Sequence, residues 1–95
     1  MLEMNNLKSW KEVTKGIFKF QVLTNKWYEI HIAQWNRDLV KLGESDAKLF
    51  ICGEYLGSQG RFFNRKFMIK GNLDECLITA YSDNKNYIKK EQKHG

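Results

Sequence analysis

Glu29, His31 and Cys52 are the residues whose types and spacing come nearest to a reaction centre. Glu29 and His31 stand two apart in a run that reads as a β-strand, so they share one face. Cys52, in a later strand, falls on that face as well. A thiol, an imidazole and a carboxylate so placed could serve as nucleophile, base and orienting group. The surrounding pattern argues against it. Cys52 would project from the middle of a strand, not from a helix N-terminus that lowers a thiol pKa, and no glycine-rich oxyanion turn accompanies it. The expectation is a chain without catalytic residues.

Other chemistries find less. His31 and His94 lie far apart, and Cys52 and Cys76 fall on different elements, so neither a metal ion nor any cofactor is expected. Gly53, Gly57 and Gly60 give GxxxGxxG, which is neither the dinucleotide fingerprint nor a P-loop. That run joins two strands, where no helix N-terminus could receive a phosphate. The run from Lys15 to Val22 starts Lys-Gly, as does the RNP1 signature of RNA-recognition motifs. The aromatic positions of that signature fall here on Ile17 and Lys19, and Phe18 and Phe20 point to the opposite face. The match therefore fails.

What must position these residues is a sheet. At period 2, Phe18, Phe20, Val22, Tyr28, Ile30, Ile32, Leu49, Ile51, Tyr55, Phe63, Phe67 and Ile69 fall on one nearly apolar face, with Arg65 its only charge. Two hairpins follow, 17–23 with 27–35 and 47–56 with 62–70. Matching the faces sets Val22 beside Tyr28, Phe20 beside Ile30 and Phe18 beside Ile32, around a three-residue loop of Thr24, Asn25 and Lys26. In the second hairpin it sets Leu49 beside Ile69, Ile51 beside Phe67, Gly53 beside Arg65 and Tyr55 beside Phe63, around a loop of residues 57–61. Residues 6–15 read as a short helix ending at Gly16, and 1–5 and 90–95 as loose ends. Residues 36–46 form a connection that leaves the strand order open. Asn72, with Glu75 three residues on, caps a C-terminal helix whose apolar stripe is Leu73, Cys76/Leu77, Ala80/Tyr81 and Tyr87/Ile88. That stripe weakens over 82–86, where a kink or fraying is expected. The fold class expected is α+β in a single domain: a four-stranded antiparallel sheet with a short N-terminal helix and a C-terminal helix on one face, in the order α-β-β-β-β-α.

The opposite sheet face mixes aromatic residues, cations and amides. A solvated face would be mostly polar, and a second core face would carry fewer charges. Trp27, Trp35, Lys48, Phe50, Phe62 and Lys66 on this face are the candidate partner-binding residues. A net charge of +5 favours nucleic acid, an acidic protein or an anionic surface as partner. Thirteen of the 16 cations are Lys, however, whereas Arg is the usual reader of phosphates and base edges. No segment approaches the apolar length of a membrane span, and the first five residues have no signal-peptide character, so a cytoplasmic chain with free thiols is expected. The Lys, Asn and Ile bias suggests an AT-rich source. The function expected is a small non-enzymatic binding protein that docks on a protein or nucleoprotein. An inhibitor or adaptor of a phage or mobile element, such as an antagonist of a bacterial defence nuclease, would be one case. RNA or single-stranded DNA binding through the aromatic–basic face is the alternative. Self-association, and a face covered by the chain's own elements, are the others.

Overall fold

The computed structural model describes residues 4–33 and 46–94, with the backbone alone for 87–94. Trp35 and residues 36–45 of the long connection lie outside the described residues.

The fold is α+β. Among the described residues, five antiparallel strands meander in sequence order, β1 (Lys11–Thr14), β2 (Ile17–Leu23), β3 (Lys26–Ile32), β4 (Asp46–Gly57) and β5 (Gly60–Asn72), and one helix follows, α1 (Leu73–His94). The expected N-terminal helix is absent. A single 3-10 turn spans Leu7–Ser9, capped by Asn6, whose Oδ1 accepts from the Lys8 N–H. The chain then runs into β1, so the sheet has five strands and not four. Gly16 is the physical reason. Its φ of 82° makes it a hairpin turn residue with Lys15, which folds residues 11–14 back along β2 with Thr14 opposite Ile17. Its carbonyl accepts from the Ile32 N–H at 2.8 Å, tying the turn to the end of β3.

Met4 is buried, and its carbonyl accepts from the Trp10 indole at 2.7 Å. The helix continues through 82–86, where the weakened stripe predicts a kink or fraying, to His94.

Both hairpin registers differ from face matching alone. In the first, Phe18 lies opposite Ile30 and Phe20 opposite Tyr28, and the ladder shifts between Gln21 and Leu23. The loop has two residues, Thr24 and Asn25, and Val22 is the extra residue of a β-bulge. In the second, Leu49 lies opposite Ile69 as expected. The ladder then shifts, so that Phe50 faces Phe67, Ile51 faces Lys66, Cys52 faces Arg65, Gly53 faces Asn64 and Tyr55 faces Phe62. Ser58 and Gln59 form the turn, with Gly60 at a φ of 114°, and Met68 is the bulge residue. Since side-chain direction has a period of 2, that single extra residue moves 62–67 to faces opposite to those expected. Phe63, Arg65 and Phe67 leave the core face, and Phe62 and Lys66 join the face that carries Ile51.

The core lies between the sheet and α1. Trp10, Phe18, Tyr28, Ile30, Ile32, Ala47 and Leu49 meet Leu73, Cys76, Leu77 and Ala80, and Phe20, Val22, Ile51, Met68 and Ile69 pack around them. Trp10 and Phe20 have ring centroids 5.5 Å apart. Tyr28 is fully buried yet carries a hydroxyl, which donates to Asp83 Oδ2 and so ties mid-sheet to mid-helix. Burial, with the Asp83 charge beside it, holds that hydroxyl far above the ordinary tyrosine range.

The start of α1 follows the capping pattern in the sequence. Asn72 Oδ1 accepts from the Glu75 N–H at 2.8 Å, and the Glu75 carboxylate accepts from the Asn72 amide at 3.2 Å. Gly71 sits under that carboxylate, where a Cβ would come within 2.2 Å of Glu75 Oε2. Asn72→Ala is expected to lower the stability by about 1 kcal/mol in a denaturant titration. No change would mean that the helix start is held by its packing alone.

Candidate functional site

The sheet face turned away from α1 is built in rows across the strands. Gln21, Trp27, Cys52 and Arg65 are successive register partners from β2 to β5. Lys19, Glu29, Phe50 and Phe67 form the next row, and Ile17, His31, Lys48 and Lys70 the third. Directly opposed residues share a face, so the rows fix which side chains meet.

At the centre lies a buried carboxylate. Glu29 Oε2 accepts from the Trp27 indole at 2.8 Å, and Oε1 lies 2.8 Å from His31 Nε2 and 3.1 Å from Arg65 Nη2. Burial alone would push the Glu29 carboxyl up. The hydrogen bonds from Trp27 and His31, with the Arg65 charge, outweigh it and hold the carboxyl below its ordinary value. Aromatic rings wall this cluster. Trp27 packs on Phe63 with centroids 5.7 Å apart, His31 on Phe50 at 4.6 Å, and Phe50 meets Phe67 edge-on at 5.8 Å. Lys19 Nζ stands 4.3 Å over the Trp27 ring, and the Arg65 guanidinium lies 5.0 Å over Phe63.

The sheet brings Glu29, His31 and Cys52 onto one face, with the imidazole hydrogen-bonded to the carboxylate. The Cys52 thiol is pushed up to about 12, by burial first and then by the neighbouring Glu29 charge. It is protonated at neutral pH. The imidazole is spent on Glu29 and the carboxylate on three donors. What the cluster does is aim Arg65. Its guanidinium is tethered by Glu29 and laid on Phe63, and its side chain is still 43% exposed. Among the described residues, no group of three His, Cys, Asp or Glu side chains could hold a metal ion, and no helix is long and apolar enough to cross a membrane. Cys52 and Cys76 are free and buried.

The six residues expected to bind a partner separate. Trp27, Lys48 and Phe50 lie on the outer face, but Trp27 is only 6% exposed and Phe50 is half-buried. Phe62 and Lys66 are exposed on the other face, next to Tyr55 and Ile51. Trp35 lies outside the described residues. Face alternation missed Phe63, Arg65 and Phe67. A signal was present: in Phe67-Met68-Ile69 three apolar residues follow one another, which a strand with one apolar face accommodates by a bulge.

Among the described residues, the second hairpin outruns the sheet beyond Gly53. Lys26, the first residue of β3, pairs with Gly53, and the Glu54 N–H reaches only the Asn25 carbonyl in the neighbouring turn. Residues 54–63 thus stand out as a two-stranded ribbon with large apolar groups in the open. Leu56 is 84% exposed, Phe62 55%, and Tyr55 and Phe63 about as much. The Tyr55 and Phe62 rings stack at 5.5 Å. They lie back over two glycines: a Cβ at Gly53 would meet the Tyr55 hydroxyl at 2.8 Å, and one at Gly57 the Phe62 ring at 3.1 Å.

The chain matches no family model, no curated protein and no solved structure.

Proposed function

We propose that this chain is a small non-enzymatic docking protein, and that its projecting β4–β5 ribbon is the part that enters another protein or nucleoprotein. The observation that carries this is the group of exposed apolar side chains on the ribbon, Tyr55, Leu56, Phe62 and Phe63, with Phe67 just below. An isolated two-stranded ribbon is marginal in water, and apolar groups in the open cost solubility. Burying them against a partner resolves both. Trp, Tyr and Phe are the usual anchors of such contacts, and cations suit their rims. A protein of this kind acts by occupying its partner's surface, as an inhibitor or adaptor. An antagonist of a defence nuclease, carried by a phage or mobile element, is one such role.

RNA or single-stranded DNA is the second reading, favoured by Lys19, Lys48, Arg65 and Lys70 sharing the outer face. Against it, Trp27 is buried and covered by Lys19, so its ring is not open to a base. A salt titration against oligonucleotides separates the two, since phosphate binding falls steeply with salt.

The experiment is a Leu56→Ser/Phe62→Ser double variant. A partner is captured by the wild-type chain from a host extract, identified, and its affinity for both chains measured. The variant is expected to keep its stability within about 1 kcal/mol, because both side chains are exposed. It is expected to bind about 30-fold or more weakly, the loss of a ~2 kcal/mol anchor. Equal affinities would sink the ribbon reading.

A further inference from the structure

We propose that β5 is an acceptor edge, to which a partner adds an extended acidic segment as a sixth strand, with Arg65 receiving a carboxylate. This rests on the docking reading and names the partner's chemistry. Among the described residues β5 closes the sheet, and nothing pairs with its far side over Gly60–Asn72. An edge of 13 residues with exposed Phe62, Phe63 and Phe67 is a template for another strand.

Charge selects the occupant. β5 carries Arg61, Arg65, Lys66 and Lys70 and no acidic residue. A second copy is a poor partner. Antiparallel self-pairing centred on Arg65 would set the two Arg65 side chains directly against each other, and like charges directly opposed are destabilising. The same cations attract an acidic strand.

Geometry selects the pattern. Phe63, Arg65 and Phe67 stand at alternate positions on the outer face, so the incoming strand meets apolar, cationic and apolar neighbours in turn. Its complement is apolar–x–acidic–x–apolar. Arg65 is ready for the central position. Glu29 on β3 holds one edge of its guanidinium at 3.1 Å and Phe63 supports its face, so the fork lies over the outer face of the sheet and is met by a carboxylate leaning across β5. On the other face Lys66 offers a second, looser cation.

The probe is a labelled, end-blocked nonapeptide of Thr residues around a central Val-Thr-Glu-Thr-Val. It is compared with the same peptide bearing Lys for Glu, with one N-methylated at alternate amides, and with a twelve-residue oligo-dT. The Glu peptide is expected to bind at least tenfold more tightly than the Lys peptide, and N-methylation to remove the binding. Amide protons of β5 residues are expected to become protected from exchange by the peptide. Arg65→Lys, which keeps the charge and loses the fork, is expected to weaken binding several-fold while the fold is retained. Equal binding of the Lys or N-methylated peptide would overturn the proposal. So would β5 protection that appears with rising protein concentration and no peptide, which would mark a second copy. Displacement of the peptide by oligo-dT with a steep salt dependence would overturn it in favour of nucleic acid. If the peptide fails while the Leu56→Ser/Phe62→Ser variant still loses its captured partner, the acceptor edge falls and the docking ribbon stands.

Discussion

Leu49→Ala is expected to lower the stability by about 2–5 kcal/mol, and Phe67→Ala by only about 1 kcal/mol. The two residues look alike in the sequence: both sit in strands, both are large, and alternation assigns both to the core. The structure separates them. Leu49 has no exposed surface, among Tyr28, Ile30, Cys76 and Ala80. Removing its side chain leaves a cavity between sheet and helix that the rigid neighbours cannot fill. Phe67 is 53% exposed and meets chiefly the edge of the Phe50 ring. Its loss gives up an aromatic pair and opens no cavity. Urea denaturation of the two variants measures the difference. The comparison also tests the bulge at Met68, since a regular ladder would return Phe67 to the core. Equal losses for the two variants would mean that the ladder is regular there.

The same bulge marks the limit of what the sequence makes legible. Phe18, Phe20, Tyr28, Ile30, Ile32 and Leu49 can be placed on the helix side from alternation alone, and all pack there. Asn72 and Glu75 announce the helix start, and Leu73, Cys76, Leu77 and Ala80 its buried stripe. Alternation fixes parity, however, and parity does not say where an odd residue goes. An odd loop and a two-residue turn with a bulge satisfy the same faces. At Val22 the choice moves the pairing by two positions and leaves Phe18 and Phe20 on the core side. At Met68 it comes within a strand and reverses everything from 62 to 67. The N-terminal strand was hidden for another reason. Gly16 suits both a helix end and a hairpin turn, and Leu7, Trp10 and Val13 imitate a helical stripe although Val13 is exposed. On the outer face, Trp27, Lys48 and Phe50 were legible. Arg65 was not, because its place opposite Cys52 exists only after the bulge.

Glu29→Gln is expected to cost about 1–3 kcal/mol at neutral pH, and the cost is expected to shrink as the solution is acidified. The carboxylate satisfies three donors at once, and one of them, the Trp27 indole, has no water to turn to. An amide carries one acceptor oxygen where the carboxylate carries two, and its NH2 would face either Trp27 or the His31–Arg65 side. At least one contact becomes donor against donor. The pH dependence follows from the carboxyl lying below its ordinary value of 4.5 in the folded chain. Between the folded and unfolded values the unfolded chain binds the extra proton, so stability rises with pH across that window. The contribution of Glu29 is complete above the ordinary value and is lost as pH falls through the folded one. The wild-type chain should therefore lose more stability than the Gln variant between pH 7 and pH 3, read from paired urea titrations. Salt divides the effect further. Arg65 is half exposed, so added salt screens its share, whereas the buried indole contact is little affected. A stability difference that stays constant down to pH 3 would mean that Glu29 is not ionised within this cluster, and Arg65 would then lose the tether that aims it.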